Sequence, residues 1–167
     1  MRQLLDLEKG HSIALAIAAL FGMTQFARFF SMEPETLIRY GILSGLVGVA
    51  GLFLFSWLIR NFGRFFGADA RQREVRTALG LGMLPWTILF AGLSLVLVSG
   101  LSPESVATQY GPIALVVLIY GFYTILLSLT AALHLSLIKT FLCLVVTILF
   151  GFFPLAILAQ QLISYLI

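Results

Sequence analysis

The sequence predicts an all-α polytopic membrane protein: five transmembrane helices, the N-terminus inside and the C-terminus outside. Three observations carry that expectation. First, 60% of the 167 residues are hydrophobic, only 10% are charged, and mean hydropathy is +1.07. A soluble domain is roughly 25% charged, so too few polar residues exist to cover a water-facing surface. A soluble globular domain, a disordered chain and a disulfide-stapled secreted scaffold are all excluded. Second, the apolar runs reach the roughly 20 residues needed to cross a hydrocarbon core about 30 Å thick. They also lack the every-second-residue polarity of a membrane barrel. Third, the positive charge is strongly one-sided along such a layout. The length suits one domain, residues 1–167.

The first span covers about Ser12 to Phe30. Its apolar stretch exceeds the 7–15 residues of a signal-peptide core, and Gln25-Phe26-Ala27-Arg28 is no small-residue cleavage site, so a retained helix is expected. The second covers about Leu37 to Ile59, opened by Glu33-Pro34-Glu35-Thr36, where proline loses no hydrogen bond and acids face the helix N-terminus. The third covers about Leu79 to Val98 and contains Pro85, a predicted kink. Ser102-Pro103-Glu104 then repeats the start signal, with Ser102 as cap of a short surface helix reaching about Tyr110, before Pro112 opens the fourth span at about 113–133. The fifth runs from Leu137 to Ile167, 31 residues, or about 46 Å as one helix. That exceeds the core by about half, and Pro154 interrupts it, so a helix kinked near Pro154 is expected, with Gln160 and Gln161 near the far headgroups.

Five spans put the termini on opposite sides. With the N-terminus in, Arg2, Lys9, Arg60, Arg64, Arg71, Arg73, Arg76 and Lys139 lie inside, against Arg28 and Arg39 outside. The bias toward positive charge on the cytoplasmic side sets the orientation.

Five of those residues crowd the inner segment 60–78. Arg60 and Arg64 are four apart, and Phe62, Phe65 and Phe66 are spaced to share a helical face. Aromatic rings beside arginines suit headgroup depth, where guanidinium groups reach phosphates. Two readings stand: a topology determinant and interfacial anchor, or a docking site for anionic lipid or a partner through Arg60, Arg64, Phe65, Phe66, Arg71, Arg73 and Arg76. Membrane adjacency argues against nucleic acid. In the second span Gly41, Gly45, Gly48 and Gly51 recur at spacings of four, three and three, and the first offers Ala14, Ala18 and Gly22. Small residues let helix backbones approach closely. These faces pack inside the chain, against a second copy, or within a larger membrane complex.

No Asp or Glu falls near a span centre, which disfavours an ion- or proton-coupled pump. Thr24, Gln25, Ser94, Thr124, Ser128, Thr130 and Thr147 are mild polar groups whose ordinary use is bonding their own or a neighbouring helix. The motifs of zinc proteases, serine hydrolases and nucleotide-binding loops are missing. His11 and His134 are far apart, and lone Cys143 lies in an apolar run, so neither a metal site nor a disulfide is expected. No catalytic residue, metal or cofactor is predicted.

Two short stretches carry a family resemblance. One leads into the third span: Phe66-Gly67-Ala68, Glu74-Val75-Arg76, Ala78-Leu79-Gly80 and Leu84-Pro85. The other is His134-Leu135-Ser136-Leu137 with Lys139-Thr140 between the last two spans. With the five-span, N-in layout, these resemble the Yip family, the Ypt/Rab-interacting membrane proteins, across roughly residues 1–165. Eukaryotic members carry a long cytosolic N-terminal region with an Asp-Leu-Tyr-Gly-Pro motif that is missing here. The likeness is therefore to the compact bacterial branch, and small-GTPase binding does not carry over. It implies a non-enzymatic protein of the bacterial inner membrane, with an organising or accessory role exercised through lipid or protein contacts at the basic inner segment. The competing expectation is a small-solute transporter, channel or lipid scramblase, resting on the hydroxyls of spans three to five and the broken fifth helix.

Overall fold

A computed structural model describes the backbone of residues 8–25, 34–100 and 102–166, and the side chains of Gly10–Gln25 and Ile38–Gly151 except Arg39, Val98, Leu101 and Pro103. Among the described residues there are six helices and no strand. They are α1 (Glu8–Gln25), α2 (Pro34–Phe65), α3 (Gln72–Gly82), α4 (Leu84–Val98), α5 (Pro103–Leu133) and α6 (Leu137–Leu166).

Three stretches are long and apolar enough to cross a membrane: Tyr40–Phe65, Gln72–Leu97 and Glu104–Leu133. Gly10–Gln25 and Leu137–Gly151 are shorter apolar helices within the described residues. The outward surface agrees with lipid as the surrounding medium. Ile113, Leu115, Val116, Ile119 and Tyr120 are all exposed along α5, as are Ile42, Leu46 and Val47 along α2. Contiguous apolar faces of this extent are rare on water-soluble monomers.

The helices depart from the expected spans in three informative ways. α2 does not stop near Ile59 but continues through Arg60 and Arg64 to Phe65. Arginine is a good helix former and can carry its charge to water on a long stem, so the helix outlasts the apolar run. The third span is two helices. α3 ends at Gly82, Met83 joins it to α4, and Pro85 sits in the first turn of α4. Proline thus starts a helix here instead of kinking one. The break is re-satisfied from a neighbouring helix: Thr124 Oγ1 of α5 donates to the Gly82 carbonyl at 3.2 Å, while the Met83 carbonyl accepts the Thr87 N–H at 2.9 Å. Such freed groups must be bonded where no water can reach them. Finally, Pro112 does not open a helix. α5 begins at Pro103, where the Ser102 hydroxyl accepts from the Ser105 N–H at 3.3 Å, and runs through Pro112 without interruption. The missing N–H leaves only the Thr108 carbonyl without its helical partner, and Thr108 lies on an exposed turn. α6 is helical through Pro154, but the side chains beyond Gly151, and with them the expected kink and Gln160–Gln161, lie outside the described residues.

α1 lies along α2 and also touches α3 and α4; α3 is wedged between α1, α2 and α5; α6 rests on α2 and α5. The core forms where α2, α3, α5 and α6 converge, with Ile59, Val75, Ala78, Leu129, Leu133 and Cys143 among its buried members. All of these lie toward the end of the bundle that carries the arginines. The Cys143 thiol donates to the Ile59 carbonyl at 3.4 Å, tying α6 to α2 there.

Candidate functional site

The arginine-bearing end is built by two local motifs. α2 closes with the Ala68 N–H donating to the Gly63 carbonyl at 2.9 Å and the Gly67 N–H donating to the Arg64 carbonyl at 3.0 Å. This six-to-one and five-to-two pairing requires a left-handed residue after the cap, and Gly67 has φ +90. Ala68 then folds its methyl against Gly63. Four residues later α3 starts: the Arg71 N–H donates to the Glu74 carboxylate at 3.1 Å. That pins the acid to the helix start. The segment between the helices is therefore short and fixed at both ends.

These motifs divide the predicted binding residues into two groups. Arg64, Arg71 and Arg73 are exposed. Arg60 and Arg76 are half-buried and engaged: Arg60 Nε donates to the Ala70 carbonyl at 3.3 Å, and the Arg76 guanidinium stacks on the Phe53 ring. The aromatic trio divides too. Phe65 is 86% exposed, Phe66 packs against the core, and the Phe62 ring lies 5.5 Å from that of Phe150 on α6. The helix ends between Phe65 and Phe66, so the shared helical face expected from their spacing is not completed. Arg2, Lys9, Arg28 and Arg39, which also enter the orientation count, lie outside the described side chains.

His11, at the start of α1, comes close to this end. Burial first, then the charges of Arg76 and Arg73, lower its pKa below the ordinary value. Its Nδ1, Arg76 Nε and Thr77 Oγ1 are buried without hydrogen-bond partners.

The small residues also separate. A Cβ on Gly22 would meet the Ser44 carbonyl and Gly48, one on Gly48 would meet the Ala18 carbonyl, and one on Gly45 would meet the Met23 side chain. Ala18 and Gly22 of α1 thus lie backbone to backbone on Ser44–Gly48 of α2. Ala14 instead fits against Gly80 of α3. Gly41 and Gly51 face open space. Sequence reasoning missed three further close approaches. They are Gly80 on Ala14, Gly82 on Ile125, and Gly121 beneath Trp86, whose indole N–H donates to the Leu118 carbonyl at 3.0 Å. The available signals were the Gly80-Leu81-Gly82 pair and a tryptophan in an apolar run, whose N–H needs an acceptor.

Five of the mild hydroxyls are occupied by backbone. Thr24 donates to Phe21, Ser94 to Phe90, Thr130 to Leu126 and Thr147 to Cys143, each to the carbonyl one turn back. Thr124 bonds both Gly121 and Gly82. Gln25 is exposed at the end of α1. Among the described residues no three His, Cys, Asp or Glu side chains gather as a metal site. No known family model, characterised protein or solved structure matches the chain.

Proposed function

We propose that the chain is a non-enzymatic, Yip-type integral membrane protein of the bacterial inner membrane. In this reading it has five spans, with α3 and α4 forming one of them, and an N-in, C-out orientation. It acts through the basic end, which takes hold of anionic lipid headgroups. The orientation rests on the positive-charge asymmetry of the sequence. The observation that carries the function is the division among the arginines. Arg64, Arg71 and Arg73 project from two helix ends held by a short, capped segment, free of the packing that occupies Arg60 and Arg76. Phe65, almost fully exposed beside them, supplies the ring that suits headgroup depth.

Each arginine at an anionic surface contributes about 1 kcal/mol, and 1.4 kcal/mol is tenfold in binding. The triple variant Arg64→Gln/Arg71→Gln/Arg73→Gln therefore loses about two orders of magnitude in affinity for phosphatidylglycerol, titrated onto the purified protein in detergent and read by native mass spectrometry. Unchanged binding removes the lipid reading and leaves these residues as determinants of topology or contacts for a protein partner.

A further inference from the structure

Between α1, α2, α4, α5 and α6 lies a partly open groove of about 550 Å³. Along α2 its wall runs from Leu43 to Ile59, about 24 Å at the helical rise and so most of the depth of a hydrocarbon core. Gly51 stands on that wall with nothing near the position of a Cβ, so there the groove meets bare α2 backbone. Among the described residues the lining offers no polar group to an occupant along its length. Ser44 Oγ donates to the Gly41 carbonyl at 2.9 Å and Thr147 Oγ1 to the Cys143 carbonyl at 2.8 Å. Gln25 lies at one end only.

Those facts narrow the occupant. Water in a cavity needs two to four polar partners, and a hydrated ion or polar solute needs more. A helix from a second copy is 10–12 Å across and would occupy about 2,000 Å³ over the same length, more than the groove can enclose. What fits is a single slender apolar chain, and the medium around these helices supplies one at high concentration. We propose that the groove holds one acyl chain of a membrane phospholipid, lying lengthwise against the bare face of Gly51, with its glycerol end beside Gln25. The proposal does not depend on how the basic end is used.

The test uses the full chain carrying Trp57→Phe, which leaves Trp86 on the groove wall as the sole tryptophan. It is reconstituted in phosphatidylcholine vesicles with and without bromine at mid-chain, and phospholipid retained after gentle detergent extraction is counted by mass spectrometry. Gly51→Phe plugs the groove. Gly92→Phe, at another open glycine outside the groove, is the control. The parent and Gly92→Phe retain one phospholipid per chain and show strong Trp86 quenching. Gly51→Phe loses that lipid, and its quenching falls at least twofold. Equal quenching and equal retention in all three proteins overturn the proposal, as does a parent that retains no phospholipid or a free fatty acid or isoprenoid in its place. If Gly51→Phe does not fold by circular dichroism, Gly51→Leu, a smaller plug, is read in the same way.

Discussion

The guanidinium carbon of Arg76 lies 3.7 Å from the centroid of the Phe53 ring, inside the roughly 6 Å range of a cation–π contact. The pair joins the first turns of α3 to the middle of α2. It also marks Arg76, with Arg60, as an arginine spent on the fold, in contrast to exposed Arg64, Arg71 and Arg73.

Phe53→Leu removes the ring and keeps the apolar bulk. It lowers stability by about 1 kcal/mol, within the range for a partly desolvated cation–π pair, while Phe53→Trp, with a richer ring face, does not. Denaturant titration in detergent micelles followed by circular dichroism reads both. Equal losses in the two variants would show that shape, and not the ring face, matters at this position.

Glycines that look alike in sequence should respond with opposite signs. Gly22→Ala and Gly48→Ala each place a methyl on the backbone of the facing helix, and overpacking of that kind costs about 1–3 kcal/mol. Gly41→Ala and Gly92→Ala meet open space and gain about 0.5–1 kcal/mol, because alanine gives up less backbone freedom in a helix. Unfolding midpoints of the four variants, measured side by side, decide whether α1 and α2 cross at Gly22 and Gly48.

Acidification should destabilise the protein through His11, which precedes the expected start of the first span. Burial, with Arg76 and Arg73 next, lowers its pKa from the ordinary value near 6.5. As pH falls through that value the unfolded chain takes up a proton that the folded chain refuses, so stability falls with it. His11→Asn flattens the profile below neutrality. An unchanged acid slope in that variant would place the titration elsewhere.

The helical class was legible because it follows from composition: a chain this apolar and this poor in charge has few ways to satisfy its backbone in lipid. The Ser102 cap was legible because capping is local. The break at Met83 was not. Pro85 announces a disturbance, but whether it kinks a helix or starts one depends on partners such as Thr124, which arrive from forty residues away in sequence. The continuation of α2 to Phe65 was hidden because apolar periodicity marks burial, and a helix can outrun its buried stretch. Among the small residues, spacing identified a stripe. Only the crossing point of α1 separates Gly48, which is pressed against backbone, from Gly51, whose Cβ position is open.

The joint between α5 and α6 bears on biogenesis. Only His134, Leu135 and Ser136 separate the two helices, and His134 makes the turn in the left-handed conformation at φ 54. A connection this short forms an αα-hairpin, so α6 must turn back along α5 and has no independent choice of direction relative to it. Lys139, one residue pair beyond the start of α6, is carried to the side on which the turn is held. The course of the last fifth of the chain thus depends on a single three-residue joint.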